Sequence, residues 1–203
     1  MRCGYCHNPE LALNDSSLPT YSNEDIIRML AERKNKINAV VLSGGEPALS
    51  SKIIPFAEEL RGLGFAIKLD TNGTKPAVLA ALADKGLVDY AAIDVKTSPA
   101  KYKALTGVAA FADVKESVEI LKARGINFEI RTTCVPEFGE AEDFAAIQRE
   151  LVHVPKYCLQ QFVPMENIMD AEFAKLTPYP PAHLKVLQKM VSAFADVCII
   201  RGI

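Results

Sequence analysis

Short apolar runs alternate along this chain with longer amphipathic stretches. Ala39–Leu42, Phe65–Leu69, Tyr90–Val95, Asn127–Thr133, Lys156–Phe162 and Val197–Ile200 have strand length and strand-like composition. Between them, Asn23–Lys34, Lys52–Gly62, Lys75–Lys85, Asp113–Arg124, Glu140–Leu151 and Pro181–Ala195 carry the helical spacing of apolar positions. Ser22 is placed to cap the first of these helices, with Asp25 at its third position. Glycine ends several of them, at Gly62, Gly86 and Gly125. Strand and helix in strict alternation predict parallel βα units in an α/β fold.

Such units close toward a barrel or open into a doubly wound sheet. The polar residues bear on this choice. Gly44-Gly45-Glu46, Asp70-Thr71-Asn72, Asp94–Lys96, Arg131–Thr133 and Gln160-Gln161 all fall at the C-terminal ends of predicted strands. In a barrel such ends converge on one site; in an open sheet they spread along an edge and meet only at a switch point. The expected fold is therefore a partial (β/α)6 TIM-like barrel.

The chain has 203 residues and no repeat or low-complexity linker, enough for one domain with a substantial core. Its net charge of −2 provides no basic field for nucleic acid or anionic lipid. Apolar runs such as Asn38–Leu42 are far too short to span a membrane. The start has no apolar signal-like region, so the expected compartment is the cytoplasm. Five cysteines at uneven spacing do not make a disulfide framework there.

Cys3-Gly4-Tyr5-Cys6-His7 admits four readings. It matches a c-type haem attachment site, which requires export. It could be a thioredoxin-like redox pair, although Pro9 and the polar stretch Asn14–Thr20 follow it in place of a long helix. It could be half of a zinc site, although no second cysteine or histidine pair is present. Or it is the tail of a C-x3-C-x-Φ-C cluster motif, Φ being aromatic, in which three thiolates hold three irons of a [4Fe–4S] cluster and leave the fourth open. Cys134, Cys158 and Cys198 lie in or beside apolar strands and read as small buried residues. His153 and His183 read as surface or satisfied histidines, and His7 as a partner for loop backbone.

The segment V-V-L-S-G-G-E-P at Val40–Pro47 favours the fourth reading. Two glycines allow close backbone approach to a ligand, and Glu46 adds an acceptor. With C-G-Y-C-H-N-P-E-L at Cys3–Leu11, L-D-T-N-G at Leu69–Gly73, I-D-V-K at Ile93–Lys96, R-T-T at Arg131–Thr133 and L-Q-Q-F at Leu159–Phe162, the chain resembles radical S-adenosylmethionine (SAM) enzymes. Within them it resembles the glycyl-radical-enzyme activases, particularly activating proteins of anaerobic ribonucleoside-triphosphate reductases, with pyruvate formate-lyase activating enzymes as close relatives.

The resemblance implies that residues 1–203 form one radical SAM domain, an oxidoreductase of the activase type. Cys3 and Cys6 would ligate the [4Fe–4S] cluster, and SAM would chelate its open iron and be cleaved to a 5′-deoxyadenosyl radical. Tyr5 would lie near the adenine, and Gly44, Gly45 and Glu46 near the amino group. Asn72 and Lys96 would lie near SAM or the peptide substrate, and Arg131 would point to the ribose or carboxylate. Asp70, Thr71 and Asp94 would ligate a monovalent cation. The partners implied are a glycyl radical enzyme and an electron donor such as flavodoxin or ferredoxin. The family motif also carries a cysteine four residues before Cys3 and a first barrel strand, so both are expected ahead of Met1. A radical SAM enzyme acting on a small molecule and a non-catalytic remnant using only Cys3 and Cys6 are the alternatives at this point.

Overall fold

The computed structural model describes residues 1–13 and 15–203; Asn14, the first residue of the polar stretch read above, lies outside the described residues. The chain runs α1 (Pro9–Leu13), α2 (Asn23–Glu32), β1 (Ala39–Leu42), a 3-10 turn at Pro47–Leu49, α3 (Ile53–Gly62), β2 (Ala66–Thr71), α4 (Pro76–Asp84) and β3 (Tyr90–Asp94). It continues with α5 (Tyr102–Thr106), α6 (Phe111–Ala123), β4 (Asn127–Cys134), α7 (Ala141–Leu151), β5 (Val154–Gln161), α8 (Ala171–Ala174), α9 (Pro181–Val191) and β6 (Ala195–Arg201). Three short helices, α1, α5 and α8, fall in stretches expected to be loops, because four or five residues are too few to show a helical period.

Local chemistry sets the boundaries. The Ser22 hydroxyl accepts the N–H of Asp25 at 3.0 Å and donates to its carboxylate at 2.8 Å, capping α2 as expected. Gly64, Gly86 and Gly125 take φ of 81°, 65° and 63° just past α3, α4 and α6, where an L side chain would be strained. The turn that leaves α3 is therefore made at Gly64, two residues beyond the glycine read as its stop.

All strand pairs are parallel, and the sheet order is β1-β2-β3-β4-β5-β6. Consecutive strands are neighbours throughout, with no reversal of winding. Right-handed crossovers that always advance in one direction put every connecting helix on the same face. The sheet therefore curls as a partial barrel rather than a doubly wound layer, and no switch point exists among the described residues.

Side chains alternate across each strand. Ile67, Leu69, Ile93, Phe128, Ile130, Tyr157 and Leu159 join the outer core, where they meet Leu60, Leu82, Val118, Leu121, Ile147 and Leu187 of the helices. Each such aliphatic side chain contributes roughly 1.5–3 kcal/mol on burial. The opposite phase is polar: Lys68 and Asp70 on β2, Tyr90 and Asp94 on β3, Glu129, Arg131 and Thr133 on β4, Lys156 and Gln160 on β5. This phase lines the concave side and rises to the rim where the site lies.

Candidate active site

The loop carrying the two cysteines is pinned across the rim at three points. The Arg2 N–H donates to the carbonyl of Thr106 at 3.0 Å. His7 Nε2 lies 2.9 Å from the carbonyl of Val163, so His7 does bond to loop backbone. The N–H of Asp170 donates to the carbonyl of Gly4 at 2.9 Å. Within the loop, the Cys6 N–H closes a turn on the Cys3 carbonyl at 3.0 Å. Phe173 of α8 lies over the loop, so close that a Cβ on Gly4 would sit 2.3 Å from its ring.

Beneath the loop is a cavity of about 390 Å³. It is lined by Cys3, Tyr5 and Cys6, by Gly44, Gly45 and Glu46 after β1, by Asp70, Thr71 and Asn72 at the end of β2, by Asp94 and Lys96 after β3, and by Arg131 on β4. All twelve residues singled out from the sequence thus face one cavity. Asn8, Ser43, Thr133, Gln160 and Gln161 line it as well. Of these, Thr133, Gln160 and Gln161 were visible as strand-end polar residues, whereas Asn8 and Ser43 lie inside the Cys3–Leu11 and Val40–Pro47 motifs with no chemistry that set them apart.

Glycine is needed at two positions here. Gly44 has φ of 137°, and a Cβ on Gly45 would sit 2.9 Å from the carbonyl oxygen of Leu11 in α1. That contact is backbone and cannot swing aside. The Glu46 carboxylate is spent on the fold: Oε1 accepts the Ala48 N–H at 3.1 Å and the Thr71 hydroxyl at 2.6 Å, and Oε2 accepts the Asn72 N–H at 2.7 Å. Thr71 in turn accepts the Gly73 N–H at 3.1 Å. Glu46 and Thr71 therefore join the loop after β1 to the end of β2.

Charges alternate across the rim. Arg131 bridges Asp70 and Asp94, and Lys96 donates to Asp94 while its ammonium stands 5.9 Å from the Tyr5 ring centre. Burial pushes the Asp94 carboxyl up, but Lys96 and Arg131 outweigh it and hold it below its usual value. Burial alone would lower Lys96; Asp94 prevails and raises it well above an ordinary lysine. Burial raises the Cys3 thiol, with Lys96 opposing. Lys68, which pairs with Asp70 at 2.8 Å, was not singled out, although its spacing of two from Asp70 marks the same strand face.

A family model described as the radical SAM superfamily matches residues 1–149. The chain belongs to the radical SAM superfamily. Family membership implies SAM and a [4Fe–4S] cluster. A protein of Methanocaldococcus jannaschii named "Putative glycyl-radical enzyme activating enzyme" is 34% identical over 211 residues, covering 100% of this chain and 85% of its own length. A second protein of that organism with the same description is 25% identical over 185 residues, covering 84% of this chain and 67% of its own. Among solved structures, SAM-bound SuiB of Streptococcus suis superposes with a TM-score of 0.72 at 17% identity, covering 100% of this radical SAM chain but 44% of SuiB. A domain of a pyruvate-formate lyase-activating enzyme from Bacteroides vulgatus gives a TM-score of 0.64 at 14% identity, covering 81% of this chain and 99% of that one. These likenesses establish the shared fold.

The cavity suits a polar organic ligand. The Tyr5 hydroxyl and Gln161 Oε1 are buried in its wall without hydrogen-bond partners, a costly arrangement that a bound polar group would relieve. For the cluster, the chain supplies the Cys3 and Cys6 thiols; among the described residues no group of three or more His, Cys, Asp or Glu comes together as a metal site. Cys134 and Cys158 are buried and do not line the cavity, His153 pairs with Asp196 at 3.0 Å, and His183 stacks on Tyr179. No helix among the described residues is long and apolar enough to cross a membrane.

Proposed function

We propose that residues 1–203 act as one radical SAM domain that activates a glycyl radical enzyme. The observation that carries this reading is the convergence of the Cys3–Cys6 loop and five strand ends on one cavity. The description of the M. jannaschii relative, matched along the whole chain, supports the activase subtype.

In this reading Cys3 and Cys6 would supply two of the three thiolates that hold the cluster, and Tyr5, Gly44, Gly45, Asn72, Asp94, Lys96 and Arg131 would surround SAM. Together the two bound groups supply one-electron cleavage of the sulfonium and abstraction of a hydrogen atom from a glycine Cα. The chain's own residues prepare the site. Gly44, where a Cβ would meet open space, would let the ligand's amino group come close to the backbone, while the bare face of Gly45 admits α1. Glu46 fixes that loop against β2, so the cradle is formed before binding. Lys96 keeps a positive charge beneath the cysteine loop, where it opposes the burial that raises the Cys3 thiol. The electron comes from an external donor such as flavodoxin or ferredoxin.

A glycyl radical is made within a protein, so a peptide loop must reach the rim. Residues 97–107 and 164–181 hold the cysteine loop through backbone hydrogen bonds at Thr106 and Asp170, and loops so placed often carry recognition. Val163 and Met165 are each 48% exposed beside it. Of the three acidic residues of the second segment, Asp170 caps α8 by accepting the Glu172 N–H at 3.0 Å and Glu172 pairs with Lys175, which leaves Glu166 as an acidic contact for a partner.

The test is anaerobic reconstitution, with iron and sulfide, of the protein carrying the third cysteine expected four residues before Cys3. A [4Fe–4S] electron paramagnetic resonance signal that shifts on adding SAM, release of 5′-deoxyadenosine, and a glycyl radical on an added anaerobic ribonucleotide reductase are the expected results. Zinc loading without colour and no SAM cleavage would reject the reading. Cleavage with a small-molecule product and no protein radical would replace the activase subtype.

A further inference from the structure

Asp70 and Asp94 end neighbouring strands and face the same part of the cavity, where two bare carboxylates would repel. Arg131 fills the space between them. Its Nη1 donates to Asp70 Oδ2 at 2.7 Å and its Nε donates to Asp94 Oδ1 at 2.8 Å. The remaining oxygens face lysines: Asp70 Oδ1 lies 2.8 Å from Lys68 Nζ, and Asp94 Oδ2 lies 2.9 Å from Lys96 Nζ. Three of the four carboxylate oxygens are thus hydrogen-bonded or paired to a cation of the chain, and the fourth, Asp70 Oδ1, lies beside the Lys68 ammonium without a hydrogen bond to it. A hard metal ion needs oxygen ligands that are free to turn toward it. The Thr71 hydroxyl, the third ligand expected from the sequence, is taken by Glu46. These residues do not fit a bound monovalent cation.

We propose that Arg131 is a built-in counter-cation, which does for Asp70 and Asp94 what a bound alkali ion would otherwise do. Its Nη2 has no partner among the described residues, and Arg131 lines the cavity. The Nη2 group of Arg131 is left over from these pairings and meets the carboxylate of the ligand through a charge-assisted hydrogen bond. The assignment of the ligand as SAM rests on the proposed function; the filling of the cation site does not. An arginine suits this task because a guanidinium bridges two carboxylates at fixed angles and stays charged at any working pH.

The experiment compares melting temperature and SAM affinity of the full chain in potassium, sodium and choline chloride at equal ionic strength. The wild type is expected to show the same values in all three salts. Arg131→Ala is expected to bind SAM about tenfold more weakly in choline, the loss of one charge-assisted bond. Potassium, sodium or added guanidinium should restore several-fold affinity and raise its melting temperature, because the two carboxylates are then open to a cation. If the alanine variant does not fold, Arg131→Lys retains one charge and should fold, bind more weakly and remain indifferent to alkali ions. A wild type that gains stability or affinity from potassium or sodium over choline overturns the proposal, as does an alanine variant unaffected in every salt. A wild type that binds no SAM in any salt rejects the SAM reading instead, and the melting temperatures alone then decide the counter-cation.

Discussion

The hydroxyl of Thr71 donates to Glu46 Oε1 across 2.6 Å and ties the end of β2 to the glycine loop after β1. The same carboxylate takes two backbone N–H groups, from Ala48 and Asn72. Glu46 thus organises the cradle from within. Glu46→Ala strands three donors at a partly buried site, and each lost partner costs about 1–3 kcal/mol where water cannot replace it. The expected result is a lower urea midpoint together with weaker SAM binding. Were Glu46 only a ligand contact, binding would fall while the midpoint stayed put.

The Asp94–Lys96 pair gives stability a definite pH window. The Asp94 carboxyl is held below its usual 3.8, so its contribution is present above 3.8 and is lost as pH falls through the lower folded value. Lys96 is raised above 10.5, so its contribution is complete below 10.5 and is lost as pH rises through the higher folded value. Between these limits the pair should contribute a constant amount. Asp94→Asn leaves Lys96 and Arg131 short of a partner and should cost about 3–5 kcal/mol near neutral pH, as breaking buried pairs does. Urea titrations of both proteins across pH decide it; an unchanged midpoint for the variant at pH 7 would dismiss the pair as a stabilising element.

The strands were legible because a parallel sheet covered on its outer face needs short apolar runs, and β1 coincides with the apolar run Ala39–Leu42. The rim was legible because strand-end polar residues stand out against those runs: Asp70, Asp94 and Arg131 all arrived at one cavity. What those residues do to one another was hidden. Whether Arg131 opposes Asp94 depends on register, here Asp94 beside Arg131, which spacing along the chain does not fix. The helices α1, α5 and α8 were hidden too, since four or five residues are too few to show a period of their own.

A second ion cluster braces the concave face below the site. Glu129, 2% exposed, is met by Lys156 at 3.0 Å and by Arg201 of the last strand at 3.2 Å. Burial pushes its carboxyl up, but the Lys156 hydrogen bond and the charges of Arg201, Lys156 and Lys68 outweigh it and hold it below 4.5. Its stabilisation is therefore present above pH 4.5 and lost as pH falls through the lower folded value. Glu129→Gln removes both charge-assisted bonds and should cost about 1.5–3 kcal/mol, with β6 loosened first because it is the edge strand. Amide exchange that speeds up selectively in residues 195–201 is the expected signature; uniform exchange would assign the cluster no role in holding β6.

Gly4 and Phe173 make the final case, because they join the cysteine loop to the segment proposed to meet a partner. A Cβ at Gly4 would lie 2.3 Å from Cε2 and 2.5 Å from Cδ2 of the Phe173 ring, well inside contact distance. The ring is a side chain and can move, but it packs against Tyr5 at 6.3 Å and Phe138 at 6.1 Å between ring centres, so its displacement disturbs both. Gly4→Ala should therefore cost about 1–3 kcal/mol, the range for overpacking, and should lift α8 away from the rim. Removing the ring in the same molecule, as Gly4→Ala with Phe173→Leu, relieves the clash. Proteolysis within residues 164–181 should be faster in the single variant and slowed again in the double one. If the two variants are cleaved alike, the ring is not what holds α8 on the loop, and the Asp170 to Gly4 backbone bond at 2.9 Å holds it instead.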